Sequence, residues 1–281
     1  MKQQALKFRW RFYFLVLMMV SALAVVLWRM VDLTLVDSHF LKSQGNARSM
    51  RTVTVPAYRG MVSDRRGEPL AVSAIVYAAW ADPSEFNLQQ KNLKKLAPLL
   101  SYKSKQMINK IKQAKKREFV YLRRGLSPET AKVIKGLKLK GIFLKKEFKR
   151  YYPEGEAASH VIGMTNIDDK GLEGMELLYD SWLRGVPGKL KVIKDRLGNI
   201  ISDVALTKPP RPGKDLSLSL DRRIQYIAYR ELKAAIETYK AKSGSVVVLD
   251  PKTGEVLAMV NWPSYNPNRR DAQVSDLRNR A

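Results

Sequence analysis

Residues 244–268 read GSVVVLDPKTGEVLAMVNWPSYNPN, and this stretch decides what kind of fold the chain enters. Val246, Val247, Val248 and Leu249 form a short continuous apolar run, the pattern of a strand covered on both faces. Asp250, Pro251, Lys252, Thr253 and Gly254 follow as a turn, in which Pro251 fixes φ and Gly254 can take the positive φ that closes such loops. Val256, Leu257, Met259 and Val260 return as the partner strand, so the stretch predicts a β-hairpin.

Upstream of the hairpin, residues 216–220 alternate as a strand. Asp221 then caps a helix whose predicted apolar face is Ile224, Ile227, Ala228, Leu232, Ala235, Ile236 and Tyr239. Residues 208–213, KPPRPG, have no apolar face and read as an interdomain linker. Residues 214–281 thus supply one strand, one long helix and one hairpin. Their apolar faces need covering layers, which so short a segment rarely supplies alone.

Two triplets of the 244–268 stretch read as connections between elements. Lys252-Thr253-Gly254 is expected to be turn chemistry only, and Ser264-Tyr265-Asn266 to be part of a Pro-bounded loop. No serine in the chain has a lysine three residues on, so no S-x-x-K nucleophile is present and no catalytic residue is assigned.

Composition narrows the rest. Hydrophobic residues make up 45% of the 281, which argues against global disorder. There are no cysteines, which excludes a disulfide framework and cysteine zinc sites. Only His39 and His160 could serve as histidine ligands, and they form no paired motif, so a histidine-rich metal site is not expected. The net charge of +25 favours anionic surroundings such as lipid headgroups, nucleic acid or acidic polymers. Between Asp82 and Arg150 there are 20 Lys or Arg against 5 Asp or Glu, so this lobe carries most of the excess. It shows no nucleic-acid motif with stacking aromatics, and nucleic acid is not expected as a partner.

Residues 12–28, FYFLVLMMVSALAVVLW, contain no charge. Seventeen helical residues span roughly 26 Å, just short of a hydrocarbon core of about 30 Å. Snorkelling by Arg11 and Arg29 can make up the difference. The run is longer than a signal-peptide core and ends without a small-residue cleavage site, so an uncleaved anchor is expected. Lys2, Lys7, Arg9 and Arg11 precede it without an acidic residue, which predicts a cytoplasmic tail over 1–11 and the bulk of the chain across the membrane. The anchor with its helical extension is placed at 12–36.

The central region reads as α+β. Residues 51–55 begin it as a strand. Residues 59–71, RGMVSDRRGEPLA, read as strand, turn and strand, with Gly67 supplying the positive φ of the turn. Arg59, Asp64 and Arg65 could form an ion-pair cluster that ties segments together, or simply a solvated charged turn. Helices are predicted around Leu93–Leu100 and Met107–Ala114, and again after Ser127-Pro128-Glu129, which has a cap, a Pro at the first position and an acid in the first turn. Short strands are predicted at 119–122 and 142–144. Residues 195–198 read as another turn between strands.

Motifs in family order then add a resemblance. Arg59, Gly60, Asp64, Arg65, Gly67, Leu70 and Ala71 match R-G-x-I/V-x-D-R-x-G-x-x-L-A, which resembles the N-terminal pedestal signature of class B penicillin-binding proteins. Arg150, Tyr152, Pro153, Gly155, His160 and Gly163 resemble that family's R-x-Y-P-x-G-x-x-A-x-H-x-x-G run. Gly171, Gly174 and Glu176 resemble its G-x-x-G loop, expected to lead into a helix over 177–184. Residues 244–268 are similar to the opening hairpin of its transpeptidase domain, and LDRRIQ and NWPSYNPN look most like the division-specific FtsI type, with an elongation-specific relative as the alternative.

The resemblance implies a pedestal (dimerisation) domain over 50–207, a linker over 208–213 and the start of a β-lactamase-like transpeptidase domain over 214–281. It implies structural, interdomain roles for the matched residues and no metal or cofactor. It implies septal peptidoglycan D,D-transpeptidases as relatives, which acylate an activated serine, and this stretch ends at Ala281 before any S-x-x-K. The expectation is therefore an N-terminal portion, inactive alone, or else a non-catalytic membrane-anchored assembly module. The partners implied are the lipid bilayer, an FtsW-type glycosyltransferase and other divisome proteins, with peptidoglycan precursors bound only by a complete catalytic domain. The location implied is the bacterial inner membrane, with the bulk periplasmic and at the septum.

Overall fold

The computed structural model describes residues 2–32, 50–87, 92–114, 117, 119–194, 200–269, 277 and 279–281. The strands are β1 Met50–Val55, β2 Val62–Ser63, β3 Pro69–Ala81, β4 Val120–Leu126, β5 Ile142–Tyr151, β6 Gly188–Lys194, β7 Ile200–Lys208, β8 Leu216–Ser217, β9 Gly244–Leu249 and β10 Val256–Trp262. The α-helices are α1 Lys2–Val31, α2 Leu93–Leu99, α3 Ser104–Gln113, α4 Pro128–Gly136, α5 Ser159–Ile162, α6 Gly174–Leu178, α7 Asp180–Leu183 and α8 Arg222–Tyr239. The mixture of helix and sheet is the α+β class expected. The chain divides into two compact units, Met1–Val53 with Lys191–Ala205, and Thr54–Leu190 with Leu206–Ala281.

The first unit holds α1 and most of a three-stranded sheet ordered β1–β6–β7. Within α1, Phe12–Val31 is long and apolar enough to cross a membrane, and none of it is buried by protein. The helix ends at Val31; the extension expected beyond residue 32 and the turn at 195–198 lie outside the described residues.

In the second unit, β3 organises the sheet. It pairs antiparallel with β5 from Val72↔Tyr151 to Ala81↔Ile142, and with β4 near its end. Its first residues pair with β2, which pairs in parallel with β8, Val62 opposite Leu216. β4 and β5 are longer than the short apolar runs suggested, because β3 offers a thirteen-residue template.

Two cores result. In one, Leu93, Leu96 and Leu100 from the α2 region, Met107 and Ile111 of α3 and Ile134 of α4 pack on Ala79, Leu122 and Leu126 of the sheet. Truncating one such buried Leu or Ile to Ala costs roughly 2–5 kcal/mol. Ser127 caps α4 as expected, its hydroxyl accepting from the Thr130 amide at 3.2 Å. In the other core, Val62, Leu70, Ala71, Tyr152, Ile162, Leu183 and Leu220 meet.

Four expectations need correction. The helix expected over 177–184 is two short pieces, α6 and α7, which begins earlier and breaks at Tyr179. The strand expected over 216–220 is only β8, because its partner β2 is two residues long. The face of α8 is rotated: Gln225 and Ile236 are buried, whereas Ile227, Ala235 and Tyr239 are exposed. The hairpin forms, with Leu249 opposite Val256, but β9 is not covered on both faces. Val247 and Leu249 remain 45% and 56% exposed, because α8 packs on the hairpin and covers one face of β9, and Val247 and Leu249 point to the other.

Candidate functional site

Among the described residues, the most buried charges meet where residue 59 enters β2 and β5 ends. Arg59 and Glu176 have fully buried side chains. Arg59 donates through Nε to Glu176 Oε2 at 2.7 Å, through Nη1 to Asp180 Oδ1 at 2.7 Å, and through Nη2 to the Glu176 carbonyl at 2.9 Å. Arg150, the penultimate residue of β5, donates through Nε to Glu176 Oε1 at 2.6 Å and through Nη1 to the Ser73 hydroxyl at 3.1 Å. One carboxylate thus holds two arginines, and α6, α7, β3 and β5 are tied at one point.

Electrostatics follow from burial and partners. Burial works against a charged Arg59, but Glu176 and Asp180 outweigh it and hold its pKa above the ordinary value. Burial likewise opposes a charged Asp180, yet the Gly171 amide at 2.9 Å and Arg59 hold its carboxyl below the usual value. Asp169 goes the other way: burial pushes its carboxyl up to about 6, against the pull of Arg59 and Arg150. Asp169 Oδ1 and Arg150 Nη2 are buried without a hydrogen-bond partner among the described residues. The Asp169 backbone stands at φ 62°, a left-handed conformation that Asp tolerates better than most residues.

The turn at 64–67 does a different job. Asp64 Oδ1 accepts from the Arg66 and Glu68 amides, both at 2.8 Å, and Oδ2 accepts from the Arg222 amide at 3.2 Å, at the start of α8. Arg65 pairs with Glu255 on the hairpin at 3.1 Å, and its amide donates to the Leu220 carbonyl at 2.9 Å. Arg59, Asp64 and Arg65 therefore tie distant segments together, as the ion-pair reading expected, but through separate partners rather than through one another, while residues 65–68 of the turn stay exposed. Arg59 and Asp64 are buried, and each of the three finds a partner more than 110 residues away.

Residues 150–163 complete a seam against α8 and the hairpin. The Tyr152 amide donates to Asn268 Oδ1 at 2.9 Å, and Asn268 Nδ2 donates back to the Tyr152 carbonyl at 2.8 Å. Buried Gln225 donates to the Ala157 and Met259 carbonyls and accepts from the Met259 amide. Glu154 pairs with Arg222, and Tyr229 donates to Glu156 at 2.6 Å. Burial and the Glu156 carboxylate together push the Tyr229 phenol up to about 12. Tyr265 donates to the Ser159 carbonyl at 3.1 Å and stands edge-on to the His160 ring, 5.4 Å between centroids. Burial raises the Tyr265 and Tyr152 phenols too, and the Tyr152 hydroxyl accepts from the Thr165 amide.

The remaining motif residues serve close approach. A Cβ on Gly60 would meet the Lys214 carbonyl oxygen at 1.9 Å, and one on Gly213 would meet that of Leu183 at 1.7 Å. The Gly60 amide donates to Leu183 and the Gly213 amide to Tyr58, each at 2.8 Å. The predicted linker is therefore stitched to the body. Gly163 and Gly174 pack against each other's backbone in the same way. Gly171 brings its amide to Asp180, Gly67 closes the Asp64 turn, and Pro153 and Gly155 lead into the single turn before α5.

Sequence reasoning missed Gln225, Asn268, Tyr265 and Asp180. For Gln225 a signal existed, since its polar side chain falls among apolar neighbours on α8. Lys252 and Thr253 stand exposed in the hairpin turn, where the Lys252 amide donates to Asp250. Tyr265 and Asn266 lie in a loop after β10. Among the described residues no three acidic or histidine side chains are grouped to hold a metal ion.

With this geometry in place, similarity to known proteins becomes informative. Residues 54–218 match the penicillin-binding protein dimerisation domain, and residues 244–281 match the penicillin-binding protein transpeptidase domain. The chain belongs to the penicillin-binding protein family. It is 44% identical over 277 residues to the peptidoglycan D,D-transpeptidase FtsI of Escherichia coli, covering 96% of this chain and 47% of that protein. It is 40% identical over 261 residues to the probable peptidoglycan D,D-transpeptidase PbpC of Pseudomonas aeruginosa, covering 93% of this chain and 46% of that one. Penicillin binding protein 2X of Streptococcus thermophilus shares its fold at a TM-score of 0.57 and 25% identity, covering 80% of this chain and 37% of that one. The chain spans about half the length of the curated relatives it matches, and that half contains the dimerisation domain and the start of the transpeptidase domain.

Proposed function

We propose that residues 1–281 are the anchor, pedestal and opening of a septal peptidoglycan D,D-transpeptidase, acting in cell-wall cross-linking at division. The observation that carries this is the order of the two domain matches, dimerisation then transpeptidase, within an alignment of 96% of the chain to FtsI. On this reading 1–11 is a cytoplasmic tail, 12–36 the anchor, 50–207 the pedestal, 208–213 a stitched connector and 214–281 the first part of the transpeptidase domain. The motif residues are structural: Arg59, Arg150 and Glu176 lock the pedestal, while Asp64, Tyr152 and His160 support its seam with α8 and the hairpin.

The chemistry of such a reaction needs an activated serine. Within 1–281 no S-x-x-K is present, so this polypeptide expressed by itself takes no covalent label from fluorescent penicillin. A labelled band at 32.0 kDa would overturn that assignment. Alkaline phosphatase fused after Ala281 should be active if the bulk lies in the periplasm, and an inactive fusion sinks the proposed orientation.

A second reading is supported by the match of residues 54–218 to the dimerisation domain. It makes this half an assembly module docking an FtsW-type glycosyltransferase and other division proteins. A fluorescently tagged chain concentrated at the septum supports it; an even signal around the membrane rejects it.

A further inference from the structure

Beside α4 lies an open cavity of about 520 Å³ with two kinds of wall. Its floor is apolar, including Ile134, Leu139 and Ile142, and its rim carries Lys132, Lys135 and Lys138. No carboxylate lines it. The described ion pairs of residues 82–149 use Arg124 and Lys145, and none of the three rim lysines meets a carboxylate. Lys138 holds φ 48°, in the position just past a helix end that favours glycine. The chain keeps a charged side chain where the backbone alone would prefer none.

An apolar floor under three cations at spacing three fits an amphiphile with a negative head. Phosphate or sulfate alone would leave the floor unused, and a neutral lipid would leave the lysines unmatched. The occupant also has a ready source, because α1 offers a membrane-spanning length of apolar helix. We propose that this cavity binds an anionic phospholipid, its headgroup phosphate on Lys132, Lys135 and Lys138 and its acyl region on the floor. This rests on the reading of α1 as an anchor.

The chain has no cysteine, so Val133→Cys gives a unique labelling site beside, but not within, the lining. The full chain carrying a nitrobenzoxadiazole dye there is placed in nanodiscs of phosphatidylcholine alone or with three-tenths phosphatidylglycerol. Co-elution with the nanodisc reads the anchor; dye emission reads the cavity. A roughly threefold rise in emission in the anionic discs is expected, reversed by 0.5 M NaCl and absent in K132E/K135E/K138E. The corresponding triple arginine variant should keep the response, which separates loss of charge from misfolding. Equal emission in the two lipids, or a response retained by the glutamate variant, overturns the proposal. A full response to inorganic phosphate without lipid also overturns it, in favour of a simple anion site. A response to polyglutamate but not to phosphatidylglycerol overturns it in favour of an acidic polypeptide partner.

Discussion

Glu176 has no water to fall back on. Its carboxylate is fully buried and neutralised by Arg59 and Arg150, so removing its charge leaves two buried guanidinium groups under-compensated. Breaking such a set from one side costs about 3–5 kcal/mol, whereas an exposed pair contributes about 0–1. Glu176→Gln should therefore lower stability by about 3–5 kcal/mol in denaturant unfolding, and Glu255→Gln, which frees half-exposed Arg65, by less than about 1. Equal losses would contradict the account. Asp169 makes the opposite prediction. Its folded pKa of about 6 lies above the ordinary 3.8, so the folded state holds its proton longer than the unfolded chain. Its contribution to stability thus declines as pH rises from about 4 to 6, and above that the penalty is full. Asp180, held below its ordinary value, loses its stabilisation only as pH falls below that range. Asp169→Asn keeps a side chain that tolerates φ 62° and removes the charge. It should raise the melting temperature at pH 7 and leave it unchanged at pH 3.5; a lower melting temperature at pH 7 would reject the role of burial.

At the level of elements, local pattern announced what local physics decides. The hairpin turn and the Ser127 and Asp221 caps were legible because their partners lie within a few residues, and the α2–α4 faces because helical spacing repeats within each element. The destinations of Arg59, Asp64 and Arg65 were not. Adjacent in sequence, they diverge to α6, α8 and the hairpin, and only the tertiary fold brings those acceptors near. The same reason rotated the face of α8: hydrophobicity alone selected Ile227 and Tyr239, but Gln225 wins the buried position by satisfying three backbone groups. Gln225→Ala leaves these groups short of partners, at roughly 1–3 kcal/mol for each one left unsatisfied. Amide exchange at Met259 should speed up at least tenfold in that variant; unchanged protection would show that Gln225 only fills space. Likewise the Pro-rich stretch at 208–213 looks flexible by composition, yet Gly60 and Gly213 each let a neighbouring backbone come too close for a Cβ. Gly213→Ala should therefore increase protease cutting between α7 and β8, and an unchanged digest would count against the stitched connector.

For the whole molecule, the question is what α1 contributes to the rest. Among the described residues the side chains from Phe12 to Val31 stand exposed, on a helix whose length and composition suit a bilayer. Removing residues 1–32 takes no residue from either of the two buried cores. The shortened chain should keep its melting temperature within about 2 °C, a shift that corresponds to about 0.5–1 kcal/mol for a domain of this length. It should also leave the membrane pellet for the soluble fraction, where its positive charge will make it cling to anionic vesicles at low salt and release at high salt. A large fall in melting temperature would mean that α1 packs on protein. Retention in the pellet after a salt wash would mean that another apolar surface, such as exposed Val247 and Leu249 of β9, also seeks cover.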